Sequence, residues 1–212
     1  PIRSLMFRHT ILTPKAIYLM IYLASQSQRR QELLMQMGVQ FDVINVNVHE
    51  QRQPLEEPLD YVNRVAREKA GAGLLQLQGN SSAIVLSADT DVVLNNIVMG
   101  KPETNEQAYQ MLKQLSGNTH EVITSVWLVS AERELHSVVT TKVRFSELSN
   151  QEILNYIASK EPFGKAGAYA IQGKAAAFIS SIEGSYSGVM GLPLHETYSL
   201  LKEYDVSIWM NN

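Results

Sequence analysis

Twelve consecutive residues, AIVLSADTDVVL from Ala83 to Leu94, constrain the fold more than any other stretch. They are apolar or β-branched almost throughout, which reads as strand. Asn95-Asn96 then suggests a tight hairpin turn into a second short strand, Ile97 to Met99. A strand leaving a core has no need of two carboxylates, yet Asp89 and Asp91 sit in this one. In extended chain they share one face, with Thr90 opposite. Such a pair could hold Mg²⁺, which favours one or two carboxylates plus substrate phosphates. One of them could instead take a proton from water. Asp91 could also begin a solvent-facing edge.

The remaining pattern surrounds this strand with alternating elements. Ile21 to Ser25 reads as a first strand and RRQELLMQMG as a helix stopped by Gly38. Phe41 to Val48 alternates like a strand. A long helix follows, with Val62, Val65, Ala66, Ala70, Gly73, Leu74 and Leu77 as its inner stripe. Thr104 with Gln107, and Ser149 with Glu152, have capping-box spacing and open two more helices. Val122 to Ser130, Leu135 to Phe145 and Ala176 to Ile182 read as strands. The stretch EGSYSGVMGLP reads as a loop, and Leu194 to Tyr204 as a last helix. Strands mixed with helices and hairpins predict an α/β fold with a mixed sheet, in two lobes without a clean two-domain split.

Composition narrows the chemistry. Among 212 residues there is no cysteine, which excludes disulfides, thiolate metal sites and a cysteine nucleophile and fits a cytoplasmic protein. The formal net charge of −3 gives no electrostatic case for nucleic-acid or membrane partners. No apolar stretch reaches the length of a membrane span. Arg3, Arg8 and Lys15 ahead of the apolar run Ala16 to Ala24 resemble a short signal peptide with LAS as its cleavage box. The competing reading starts the core near Met20 and leaves residues 1–19 as an extension, because cleavage at LAS would cut into a candidate site.

That site begins in LASQSQRR, where a strand turns into a helix. The free N–H groups of the helix start, with Ser25, Ser27, Arg29 and Arg30, suit a phosphate; the alternative is a serine-capped helix with two solvated arginines. Lys69 falls on the apolar stripe of the long helix, where it either snorkels past the core edge or faces a ligand. MGKP at Met99 to Pro102 is not a P-loop, although Lys101 could reach a triphosphate as a point charge. GKAGAYAIQG, Gly164 to Gly173, carries small residues that permit close approach of a ligand. Gln172 within it offers a donor and an acceptor in one plane, which matches the imide edge of uracil or thymine. His9, His49, His120, His136 and His195 show no ligand spacing.

LASQSQRR, REKA (Arg67 to Ala70), SADT, GKP, KAGAYAIQG and EGSYSGVMGLP, in this order from about Tyr22 to Val206, resemble the Maf family of nucleotide pyrophosphatases. The resemblance implies a fold akin to the inosine-triphosphatase-like folds, with the site in a cleft between two lobes. It also implies hydrolysis of a nucleoside triphosphate to monophosphate and pyrophosphate, with Mg²⁺ or Mn²⁺. Matched by position, Asp89 is the proton acceptor, and Arg29, Thr90 and Gln172 set base preference in the branch acting on dTTP and UTP. The sister branch has Ser-Asp-Gln in place of Ala88-Asp89-Thr90 and glutamate in place of Gln172. Ser25, Arg30, Glu50, Lys69 and Lys101 match other polar cleft positions, with Glu50 the second carboxylate for the metal beside Asp89. Gln28 replaces a usual proline, and Asp91 a usual apolar residue. Two other readings keep the site but change its use: a modified-purine pyrophosphatase, or a nucleotide-binding regulator of septum formation. The resemblance leaves a homodimer open.

Overall fold

The structure is a computed structural model and describes residues 19–206 and 208. The basic residues of the signal-peptide reading, Arg3, Arg8 and Lys15, lie outside the described residues. In chain order the elements are β1 (Met20–Leu23), α1 (Gln28–Gln36), β2 (Phe41–Val43), α2 (Pro58–Gln76), β3 (Ala83–Leu94), β4 (Ile97–Val98), α3 (Asn105–Leu115), β5 (Thr119–Val129), β6 (Glu134–Phe145), α4 (Asn150–Ala158), β7 (Ile179–Glu183), α5 (Tyr186–Met190) and α6 (Leu194–Glu203). Two 3-10 turns, Ala166–Ala168 and Lys174–Phe178, precede β7.

The strands form one mixed sheet in the order β2-β1-β3-β5-β6-β7, with β4 on the free edge of β3. β1 pairs in parallel with β2 and β3, and every other pairing is antiparallel. β3 is the spine. One edge is paired to β5 from Val85 to Val93. The other is paired to β1 only as far as Leu86, and to β4 only from Val93 onward. Between those partners the edge from Ser87 to Asp91 has no strand neighbour, and the interruption places Asp89 and Thr90 at an opening.

Alternation along β3 divides its side chains between two layers. Ile84, Leu86 and Ala88 pack with Leu33 and Leu34 of α1 and with Leu200 and Leu201 of α6. Val92, of the same parity, packs farther along with α3, α4 and the 166–175 segment. These two clusters are the two lobes on one sheet face. Met190 of α5 touches both. The opposite face is covered by α2, whose small Ala66 and Ala70 pack against Val85. Ser87 points into that layer and donates to the Ala66 carbonyl at 2.6 Å.

Four expectations change at the edges of elements. β2 stops at Val43, not Val48, because it is an edge strand whose one partner ends at Leu23; Ile44 N–H to Leu23 O is the last bond, at 3.0 Å. Ala176 to Phe178 belong to a 3-10 turn, so β7 starts at Ile179. EGSYSGVMGLP contains α5, opened by Ser185 Oγ accepting from Gly188 N–H at 3.0 Å. Ser149 and Glu152 form a reciprocal capping box, whereas Thr104 caps alone because the Gln107 side chain reaches one residue further back, to Glu103 N–H.

One core residue makes the fold pH-sensitive. His120 on β5 is 2% exposed, its Nε2 lies 2.8 Å from the Tyr169 hydroxyl, and its Nδ1 has no partner. Burial pushes its pKa down to about 4. Below about 6.5 the unfolded chain takes up a proton that the native imidazole refuses, so this contribution is full at neutral pH and shrinks as pH falls toward 4. Urea unfolding at pH 7.5 and pH 5 should show His120→Gln losing about 2 kcal/mol less than the unmodified protein over that interval.

Candidate active site

The interrupted edge of β3 opens into a cleft of about 660 Å³, a volume suited to a small-molecule ligand. Ser25, Arg29, Arg30, Glu50, Lys69, Asp89, Thr90 and Lys101 all line it. Gln172 does not: its side chain is exposed, and the neighbouring Ala170 and Ile171 form the cleft wall instead.

Lys69 is 9% exposed and Asp89 6% exposed. The close approach of α2 to β3 brings Lys69 Nζ to 2.7 Å from Asp89 Oδ1 and 2.7 Å from Glu50 Oε1. The lysine therefore faces the cleft floor and does not snorkel. Lys101, exposed, stands 3.9 Å from the other oxygen of Glu50. Burial alone would raise the Glu50 pKa. The Lys69 hydrogen bond and the charges of Lys69, Lys101 and Arg30 outweigh that and hold the carboxyl below its ordinary value. Two carboxylates around one cation make an all-oxygen donor pair of the kind hard divalent ions accept. Among the described residues no group of three His, Cys, Asp or Glu is arranged to hold a metal ion, so phosphate oxygens and water would complete such a shell.

The two arginines occupy different roles in the geometry. Arg30 donates from Nε to Gly191 O at 2.7 Å, from one terminal nitrogen to Ser25 Oγ at 3.2 Å and from the other to Thr90 Oγ1 at 3.2 Å. Thr124 has one hydroxyl proton and two oxygen neighbours, Gly188 O at 2.8 Å and Thr90 Oγ1 at 3.0 Å. The carbonyl can only accept, so Thr124 donates there and Thr90 completes the chain as donor to Thr124. Arg29, in contrast, makes no hydrogen bond among the described residues, and burial lowers its pKa. Its guanidinium is open to the cleft. Ser27 flanks α1 without a side-chain cap bond, so the serine-capped alternative does not hold. Gln28 fills the first helical position, where proline is also favoured, and donates to Glu32 at 3.0 Å.

A family model described as Maf-like protein matches residues 20–204. The chain belongs to the Maf-like family. It is 50% identical over 185 residues to a dTTP/UTP pyrophosphatase of Escherichia coli K12, covering 87% of this chain and 93% of that one. It is 51% identical over 187 residues to a dTTP/UTP pyrophosphatase of Xanthomonas campestris pv. campestris, covering 87% and 98%. Among solved structures, the Ham1 protein of Staphylococcus aureus overlaps with a TM-score of 0.48 at 12% identity, covering 87% of this chain and 97% of that chain. No helix among the described residues is long and apolar enough to cross a membrane.

Two features of this Maf-like cleft escape a reading of motifs. Lys165 lines the wall opposite α1, and burial followed by the charge of Arg29 lowers its pKa. It stands inside a motif whose glycines drew attention, and nothing in the local spacing separates it from a solvated lysine. Gly167 (φ 66°) approaches β3 and not a ligand: a Cβ there would lie 2.8 Å from Val92, and its N–H donates to Gly100 O at 2.8 Å. That bond ties the Lys165 segment to the Lys101 segment.

Asp91 is not a solvent-facing edge. It is 8% exposed, is opposite Ile123 in the β3–β5 ladder, and is absent from the cleft lining. Burial, then the charge of Asp89, pushes its pKa up to about 7.

The contrast between the arginines is testable in stability. Arg30→Lys should cost about 2 kcal/mol in urea unfolding, because lysine cannot reproduce the three-way fork. Arg29→Lys should stay within about 0.5 kcal/mol of the unmodified protein.

Proposed function

We propose that the chain is a nucleoside triphosphate pyrophosphatase that hydrolyses dTTP and UTP, or closely related pyrimidine nucleotides, to the monophosphate and pyrophosphate. The observation that carries this is the Lys69 ammonium, 2.7 Å from both Asp89 and Glu50, at the floor of a cleft also lined by Arg29, Arg30 and Lys101. A binding module for a triphosphate gains nothing from a carboxylate placed to take a proton from water. A hydrolase needs one.

Asp89 is the proton acceptor in this reading. Lys69 engages Oδ1, and no described group hydrogen-bonds Oδ2, which leaves that oxygen for a water. The carboxylate takes a proton as the water oxygen bonds to the α-phosphorus, and the bond from that phosphorus to the bridging oxygen breaks. Pyrophosphate leaves with the electron pair. Arg29, whose donors are uncommitted, and Lys101 accept the charge that develops on it. Arg30 and Ser25, locked to each other at 3.2 Å, form the rigid side of the phosphate cradle at the start of α1.

Glu50 and Asp89 are the side chains that would hold a divalent cation. Such an ion, when bound, supplies positive charge against the triphosphate. Arg29, Thr90 and Gln172 are assigned to base selection. Thr90 contributes through the Arg30 and Thr124 chain, and Gln172 with an amide that pairs with the imide edge of a pyrimidine. The pyrimidine preference rests on Ala88-Asp89-Thr90 and Gln172 and on the similarity to the dTTP/UTP pyrophosphatases of Escherichia coli and Xanthomonas campestris.

Pyrophosphate release should be measured across pyrimidine, purine and modified triphosphates with Mg²⁺ or Mn²⁺. The expected result is turnover led by dTTP and UTP, with Asp89→Asn at least about tenfold slower. Equal turnover in Asp89→Asn would remove that residue from the role of base. No turnover of any nucleotide would sink the enzyme reading in favour of a nucleotide-binding regulator.

A further inference from the structure

Gln172 presents a difficulty for base selection. Its side chain is exposed just outside the cleft, on the short segment between Ala170 and Lys174, which has no strand to hold it. An amide that distinguishes one base edge from another must be placed to within a fraction of an ångström, since hydrogen bonds weaken steeply away from about 2.9 Å and a straight angle. Something else has to fix this segment.

The residues that do so come from α4 and the bend after it, neither of which lines the cleft. The Ala170 N–H donates to the Tyr156 hydroxyl oxygen at 3.3 Å. The Tyr156 hydroxyl donates in turn to Glu161 Oε1 at 2.9 Å. Beyond Gln172, Lys174 N–H donates to Glu161 Oε2 at 3.0 Å and Ala175 N–H to Oε1 at 3.3 Å. Both shoulders of Gln172 are therefore gripped by one tyrosine–carboxylate pair. Gly173 is part of the arrangement, because a Cβ there would overlap the Glu161 carboxylate. Tyr156 is itself fixed by an edge-on contact with Phe178, ring centroids 5.3 Å apart. Burial would raise the Glu161 pKa. The two backbone donors and the tyrosine more than offset it, so the acceptor form is favoured.

We infer that Glu161, acting with Tyr156, is a positioning residue that sets where Gln172 stands against the nucleobase and thereby tunes base selection. This rests on the assignment of Gln172 to the base in the preceding section. A clamp of this kind leaves a signature that a general structural role does not. The base end of the site loosens while the phosphate end, built on α1, Lys69 and Lys101, is unchanged. A site that hydrogen-bonds its substrate discriminates strongly against analogues that leave a polar group unpaired, so selectivity is the sensitive readout.

The test uses Glu161→Gln, which places an N–H₂ where only acceptors fit, and Tyr156→Phe, which keeps the ring and removes both bonds of the hydroxyl. Gln172→Ala serves as the reference. Calorimetric Kd values for UMP and for inorganic pyrophosphate are measured beside kcat/KM for UTP and GTP. Glu161→Gln should weaken UMP binding and lower the UTP-over-GTP ratio by about tenfold or more, mainly through KM, with pyrophosphate binding within about twofold. Tyr156→Phe should move the same way by a smaller factor, and decides the matter alone if Glu161→Gln does not fold. Parallel losses for UMP and pyrophosphate, or for UTP and GTP, would reduce Glu161 to a structural role and overturn the proposal. If Gln172→Ala collapses selectivity and the clamp variants do not, the positioning proposal fails while the base assignment stands. If Gln172→Ala changes nothing, the base assignment fails and the proposal falls with it.

Discussion

A lysine ammonium shared by two carboxylates at the bottom of the cleft is the interaction on which the rest of this structure depends. An ammonium that is 9% exposed tolerates its position only because Asp89 and Glu50 lie 2.7 Å away on either side. Removing one partner would leave buried charge uncompensated, a far larger penalty than the net gain of the pair. Each part of the fold around it serves that geometry. Small residues bring α2 against β3, the interrupted β3 edge exposes Asp89, and the early end of β2 frees the chain from Asn45 to Glu50 to cross the cleft and deliver the second carboxylate.

How much of this was legible follows from the range of each signal. β3 and Asp89 were legible because a long apolar run containing carboxylates is anomalous within a few residues of chain. Lys69 was legible as a charge on an apolar stripe. The true end of β2 was not, because Phe41 to Val48 alternates well throughout and what stops the strand is the end of its neighbour at Leu23. Lys165 was not, because its significance lies in facing Arg29 across a gap between segments far apart in sequence. Gln172 was singled out by its chemistry alone, and the structure leaves it outside the cleft lining. The motif shows an amide suited to a base edge, but not the contacts of Tyr156 and Glu161 to the backbone on either side of it, which come from α4 and the bend after it.

The two aspartates of β3 show how two residues of separation on one strand face can give very different surroundings. Asp89 stands where the strand edge is open and finds Lys69. Asp91 is nearer the end taken up by β4, is buried, and meets no hydrogen-bonding partner among the described residues. Burial, and after it the neighbouring charge of Asp89, disfavours an ionised Asp91, which is why its pKa rises to about 7.

Charge within the cleft accounts for the asymmetry between site and surface. The whole chain carries a formal charge of −3, yet five cationic side chains, Arg29, Arg30, Lys69, Lys101 and Lys165, line the cleft against two carboxylates, Glu50 and Asp89. The excess of three positive charges is concentrated in one cleft, where it draws in anions despite the net negative charge of the chain. A triphosphate brings about four negative charges at neutral pH, so the side chains alone leave the complex short by about one. A divalent cation held by those carboxylates would add two positive charges and reverse that sign. On this count the carboxylates that diminish the pocket's positive charge are also the ones that make room for a stronger source of it.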